Sequence, residues 1–144
     1  MEAIHILLVE DNPDHAELTR RALENGNVGN RVTWVKDGQE ALDYLFRRGA
    51  YAEALRPGLI LLDINLPKVS GVEVLKKIKE DEGLRVIPVI MLTTSDRDEE
   101  AHKCYRFGAN SFITKPVKFN EFSEKVRSLK LYWLLVNRPP KPDV

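Results

Sequence analysis

The sequence predicts an α/β protein, a five-stranded doubly wound parallel sheet in which a βα unit is repeated five times. Two observations carry this. Short β-rich apolar runs alternate with helical patterns along the chain, and three runs are nearly continuous: Ile6-Leu7-Leu8-Val9, Leu59-Ile60-Leu61-Leu62 and Val89-Ile90-Met91-Leu92. Strands without polar alternation belong in a sheet covered on both faces, and helical crossovers supply that cover.

The first strand is expected over Ile4–Val9, and Ala16, Leu18, Ala22 and Leu23 place a helix from about Asp14 to Glu24. The Gly- and Asn-rich stretch Asn25–Asn30 ends that helix before a second strand at Arg31–Val35. Asp37-Gly38 opens a second helix with Ala41, Leu42 and Leu45 on one face. Leu59–Asp63 is the third strand, and a third helix starts near Ser70-Gly71, carrying Val72, Leu75 and Ile78. After a strand at Val89–Thr93, a helix beginning at Asp96 or Asp98 stops at Gly108, a left-handed C-terminal cap. Ser111–Thr114 is the last strand, and Asn120 with Glu121 starts a final helix expected to reach Val136. Residues 1–137 read as one domain, and the stiff Pro139-Pro140-Lys141-Pro142 run lies in a tail over 138–144.

Composition narrows the function classes. The 144 residues carry 22 Lys plus Arg against 22 Asp plus Glu, so no basic excess speaks for nucleic-acid binding. The lone cysteine, Cys104, closes no intrachain disulfide and builds no thiolate metal site by itself. The first residues lack a basic, apolar signal pattern, and no apolar run approaches the roughly 20 residues that span a bilayer. A cytoplasmic domain is the expectation.

In a doubly wound sheet, ligands bind at the carboxyl ends of the strands. Those ends are Val9-Glu10-Asp11-Asn12-Pro13, Leu62-Asp63-Ile64-Asn65, Leu92-Thr93-Thr94-Ser95 and Thr114-Lys115-Pro116. One edge of the sheet therefore collects Glu10, Asp11, Asp63, Thr93 and Lys115. Crowded carboxylates repel, so the group takes up protons or holds a cation. An oxygen-only donor set points to a hard ion, with Mg²⁺ favoured. A carboxylate beside Mg²⁺, a lysine and a hydroxyl suits in-line phosphoryl transfer, with Asp63 as nucleophile.

These residues resemble the receiver domain of two-component response regulators, from Ile4 to about Val136. The resemblance rests on Glu10-Asp11, on Asp63 within Leu-Leu-Asp-Ile-Asn-Leu-Pro, on Gly71, on Thr93 and on Lys115-Pro116. It implies a flavodoxin-like receiver fold with Asp63 as phosphoacceptor. Asp11 would ligate Mg²⁺ directly, Glu10 through water, and Asn65 through its backbone carbonyl. Thr93 would bond the arriving phosphoryl group and Lys115 would bridge it. Phe112 falls at the family's aromatic switch position, and Lys115-Pro116 would be a cis peptide. The loop Leu45-Phe46-Arg47-Arg48-Gly49-Ala50-Tyr51 before Arg56-Pro57, with Tyr132-Trp133 further on, resembles the single-domain regulators associated with bacterial phytochromes.

Each residue also has a plainer explanation. Asp11 is a good helix cap, Asp63 a common turn residue, and Phe112 a default core residue. His5, His15 and His102 have no ligand spacing and read as structural or surface residues, and Trp34 as packing beside the second strand. In the last helix, Phe122, Val126, Leu129 and Trp133 form a stripe that would cover the sheet. Leu131, Tyr132, Leu134, Leu135 and Val136 extend the apolar surface beyond it, so a homodimer through helix four, strand five and helix five is expected. Its contacts would include Phe122, Leu131, Tyr132, Leu134 and Leu135.

The leading functional reading is a stand-alone switch, phosphorylated by a histidine kinase of phytochrome type and read out by protein binding. It would catalyse only its own phosphorylation and dephosphorylation. The alternative is an aspartate-nucleophile phosphohydrolase of the haloacid dehalogenase type. Such enzymes use a second Asp two residues after the nucleophile, where this chain has Asn65. A flavin module would need a Ser/Thr/Gly-rich loop where Glu10-Asp11-Asn12-Pro13-Asp14 stands.

Overall fold

The computed structural model describes residues 5–94 and 99–129. Five strands, β1 (Ile6–Val9), β2 (Val32–Val35), β3 (Leu59–Asp63), β4 (Val89–Thr93) and β5 (Ser111–Thr114), alternate with five helices. These are α1 (Pro13–Asn25), α2 (Gly38–Leu45), α3 (Gly71–Glu80), α4 (Glu99–Arg106) and α5 (Phe119–Ser128). All strand pairs are parallel, in the order β2-β1-β3-β4-β5.

The strand side chains alternate between two apolar layers. Leu7, Val9, Ile60, Leu62, Val89 and Met91 face a layer completed by Ala41, Leu42, Val74, Leu75, Ile78 and Cys104 from α2, α3 and α4. Ile6, Leu8, Leu59, Leu61, Ile90, Leu92 and Ile113 face the other, closed by Ala16 and Leu23 of α1 and by Phe122 and Val126 of α5. Both faces of β1, β3 and β4 are buried, which is why those strands carry no polar alternation. The chain runs from β1 outward to β2, then returns across the sheet to β3 beside β1. The direction of winding reverses there, and the crevice between the ends of β1 and β3 is the natural site.

Local chemistry fixes the helix starts. Asn12 caps α1, its side-chain oxygen accepting from the backbone N–H groups of Asp14 and His15 at 2.9 and 3.2 Å. Asp37 caps α2 and Ser70 caps α3 in the same way. Gly108 ends the α4 segment with φ +101°, a conformation that strains a residue with a Cβ. The loop after α2 folds through a 3₁₀ turn at Gly49–Tyr51. The Tyr51 hydroxyl donates to Glu40, Tyr44 donates to the Leu55 carbonyl at 3.1 Å, and the two rings meet edge to face at 5.2 Å.

Some expectations need correction. The last helix begins at Phe119 rather than at Asn120-Glu121, and its cap position, Lys118, makes no side-chain capping bond. Tertiary packing sets that boundary. The Phe119 ring lies so close to Gly26 that a Cβ there would fall 1.9 Å from it, which draws the first turn of α5 against the end of α1. Phe122 is fully buried in the layer under α1 and α5, so it is a core residue and not part of a partner surface. The expected contacts Leu131, Tyr132, Leu134 and Leu135 lie outside the described residues, as do Ile4, Asp96, Asp98 and the tail over 138–144. Cys104 of α4 is buried, 1% exposed.

Candidate functional site

The strand ends carry the acidic side chains to one edge. Glu10 follows β1, and its backbone N–H donates to the Val35 carbonyl at 3.1 Å, so the β1–β2 ladder continues through it. Asp63 is the last residue of β3 and faces Leu92 of β4. Thr93 ends β4 opposite Thr114, and its carbonyl accepts from the Lys115 backbone N–H at 2.7 Å. That bond carries the ladder one residue past β5 and turns the lysine toward β3. Gly71 fits the same corner: a Cβ there would lie 2.1 Å from the Asp63 carbonyl oxygen, so only glycine lets α3 start so close to β3.

The Lys115 ammonium lies 2.8 Å from Asp63 Oδ2 and 2.9 Å from Glu10 Oε1. His15 Nδ1 sits 3.3 Å from the same nitrogen and 3.7 Å from Glu10 Oε1. The other carboxylate oxygens are held by backbone. Asp63 Oδ1 accepts from the Asn65 N–H at 3.0 Å, and Glu10 Oε2 accepts from the Asn12 N–H at 3.4 Å. Glu10, Asp63 and Thr93 are buried, whereas Asp11 is exposed. One carboxylate oxygen from each of Glu10, Asp11 and Asp63 lies within 4.8 Å of the others. The Lys115–Pro116 peptide bond is cis.

Two of the three clustered carboxylates, Glu10 and Asp63, thus bond the Lys115 ammonium. Burial, reinforced by the hydrogen bond and charge of Asp63 and only partly offset by Lys115, pushes the Glu10 carboxyl up to about 8. Burial works to lower Lys115, but bonds to Asp63 and Glu10 outweigh it and hold the ammonium above its usual range. The cluster has more negative charge than it can neutralise, and its exposed member opens it to water. An all-oxygen set of this kind fits a hard divalent cation that retains part of its hydration shell.

The expected residues do not all meet. Glu10, Asp11, Asp63 and Lys115 converge, and Thr93 lies at the adjoining strand end. Phe112 stands apart, half-buried against the layer formed with α2, α3 and α4. It meets Tyr105 of α4 edge to face at 5.4 Å, with the Lys125 ammonium of α5 5.7 Å from its ring. Sequence reasoning missed His15, which reaches Lys115 and Glu10 from the first turn of α1. Its place in the first turn of the helix that directly follows the acidic pair was an available signal. With Leu18 and Thr19 it walls a cavity of about 290 Å³ that reaches Lys115, Pro116 and Val117. Trp34 was also read only as packing, yet its indole N–H donates to the Glu10 carbonyl at 2.7 Å.

Comparisons with known proteins agree with this geometry. Residues 6–127 match the family described as the response regulator receiver domain. A curated relative, the probable methanogenesis regulatory protein FilR2 of Methanothrix harundinacea, is 46% identical over 137 residues, covering 95% of this chain and 88% of its own length. The solved structure of the bacteriophytochrome response regulator AtBRR superposes with a TM-score of 0.86 at 45% identity, covering 96% of this chain and 100% of that one. The Mn²⁺-bound form of response regulator Rcp1 superposes with a TM-score of 0.76 at 35% identity over 95% and 99% of the two chains. Rcp1 is a Synechocystis protein. The phosphohydrolase reading finds no support in these matches. Among the described residues no helix is long and apolar enough to cross a membrane. The sheet order, the clustered acids and the breadth of these likenesses agree that the chain belongs to the response regulator receiver domain family, with phytochrome response regulators among its relatives.

Proposed function

We propose that this chain is a phosphoacceptor switch in which Asp63 receives a phosphoryl group from a histidine kinase of phytochrome type. The observation that carries the reading is the placement of Lys115. Its ammonium bonds Asp63 at 2.8 Å and Glu10 at 2.9 Å, while Asp11 lies on the solvent side of the same cluster. Glu10, Asp11, Asp63 and the Asn65 carbonyl are the groups that would hold Mg²⁺. When bound, the cation would neutralise charge on the carboxylates and on the incoming phosphoryl oxygens.

The protein's own groups then have separate tasks. An Asp63 carboxylate oxygen attacks phosphorus, the bond from phosphorus to the kinase histidine nitrogen breaks, and an acyl phosphate forms. Lys115 swings from carboxylate to phosphoryl oxygen, and its charge offsets what accumulates on the equatorial oxygens. The Thr93 hydroxyl, at the neighbouring strand end, bonds another of those oxygens. Movement of Thr93 and Phe112 would change the face formed by α4, β5 and α5, where Phe112, Tyr105 and Lys125 already touch. Two copies would associate through that face, with Leu131, Tyr132, Leu134 and Leu135 adding apolar area. The readout would be protein binding, and the only catalysis would be the chain's own phosphorylation and dephosphorylation. Kinship with the bacteriophytochrome response regulator AtBRR supports a phytochrome-type kinase.

The test is labelling by kinase phosphohistidine or a small acyl phosphate in the presence of Mg²⁺. The wild-type chain is expected to gain one acid-labile phosphoryl group, and Asp63→Asn none. Persistent labelling of the variant would place the acceptor elsewhere.

A further inference from the structure

We infer that Trp34 is a positioning residue for the cation-binding acids, acting through the peptide plane between Glu10 and Asp11. The inference rests on the reading that Glu10, Asp11 and Asp63 hold a divalent cation. The Trp34 indole N–H donates to the Glu10 carbonyl oxygen at 2.7 Å, from a residue 24 positions away on the neighbouring strand. That carbonyl belongs to the same planar unit as the Asp11 backbone nitrogen. Fixing its oxygen fixes the orientation of the plane, and with it the directions in which the Glu10 and Asp11 side chains leave the backbone.

The restraint is bilateral. The Glu10 N–H is already held by the Val35 carbonyl at 3.1 Å, so β2 grips both the donor and the acceptor of the residue that opens the site. On the other side, Asn12 engages the N-terminus of α1 and donates to Glu10 Oε2 at 3.4 Å. Asp11 is thus the one link between two anchored residues. It is the exposed acid of the cluster, with no burial of its own to hold it in place.

The indole is itself held. Its register partner on β1 is Leu8, and it packs against the apolar layer beneath α1 and α5. The Lys36 ammonium lies 5.8 Å from its ring. Packing alone would be served by any large apolar side chain. Only a donor at the Nε1 position engages the carbonyl. Partners that orient metal ligands are commonly worth 10- to 100-fold in metal affinity, and an effect of about tenfold is expected here.

The experiment measures Mn²⁺ binding to the full chain from the electron paramagnetic resonance of free Mn²⁺, together with melting in EDTA. Two changes are compared with wild type: Trp34→Phe, and replacement of Trp34 by benzothienylalanine, which keeps the bicyclic shape but has sulfur in place of the N–H. Both are expected to raise the Mn²⁺ dissociation constant about tenfold. The benzothienyl protein is expected to melt, metal-free, within a few degrees of wild type. In an Asp11→Ala background the replacement is expected to add nothing further. An unchanged Mn²⁺ constant in the benzothienyl protein overturns the inference, whatever Trp34→Phe does to folding. A wild-type chain that binds no Mn²⁺ would instead sink the cation reading on which the inference stands.

Discussion

Replacing Glu10 by Gln isolates the electrostatic cost of the acidic cluster. Glu10 is fully buried, and its carboxyl is raised from 4.5 to about 8, first by burial and then by Asp63. A raised acid binds a proton in the folded state that the unfolded chain has already lost. Between pH 4.5 and about 8, metal-free stability therefore falls as pH rises, with a limiting slope of about 1.4 kcal/mol per pH unit. Over that whole interval the ceiling is about 5 kcal/mol, comparable with the entire stability of a small domain. The Gln side chain keeps the shape, still accepts from Lys115 and has no proton to lose. Urea unfolding in EDTA from pH 5 to 9 is the assay. Wild type is expected to lose several kcal/mol across the range, and Glu10→Gln to run nearly flat beside it. Saturating Mg²⁺ is expected to reverse the wild-type trend, because the cation binds the ionised carboxylate. Parallel wild-type and variant profiles in EDTA would refute the reasoning.

Three other perturbations probe separate links. Gly71→Ala drives a Cβ to 2.1 Å from the Asp63 carbonyl, so it is expected to destabilise by about 2–4 kcal/mol and to slow phosphorylation of Asp63; a neutral melt would mean α3 shifts freely. Phe122→Ala empties a fully buried site under α1 and α5 and is expected to cost about 3–5 kcal/mol in chemical denaturation, whereas an interface residue would leave monomer stability intact. Truncation after Lys130 is expected to convert dimers to monomers in sedimentation velocity, and an unchanged profile would remove the terminal segment from the proposed interface.

The apolar runs made the sheet legible. Leu59–Asp63 and Val89–Thr93 are strands with the bounds their composition predicts, because buried parallel strands leave no room for polar alternation, and the alternately buried edge strand Ser111–Thr114 also has its expected bounds. Helix ends fixed by local caps, at Ser70 and Gly108, were readable for the same reason: the determining chemistry sits at the boundary. The start of α5 was not, since it depends on the Phe119 ring meeting Gly26, a contact between elements remote in sequence. The acidic cluster could be assembled from strand order alone, as each member ends or follows a strand. Lys115 bridging Asp63 and Glu10 follows from the same edge. His15 and Trp34 were less visible. A histidine on the first turn of a helix and a tryptophan beside a strand have many uses, and only the three-dimensional register shows the ammonium and the carbonyl they reach.

Phosphoryl capture by an aspartate placed among other acids is the claim on which all else depends. The most direct measurement is a crystal structure of the chain with Mg²⁺ and beryllofluoride, a stable mimic of a phosphoryl group. The account predicts beryllofluoride bonded to an Asp63 oxygen, with Lys115 moved onto a fluoride and the cation held by Asp11 and Asp63. Continuous density for the Lys115–Asp63 ion pair, with no fluoride and no cation beside it, would contradict it.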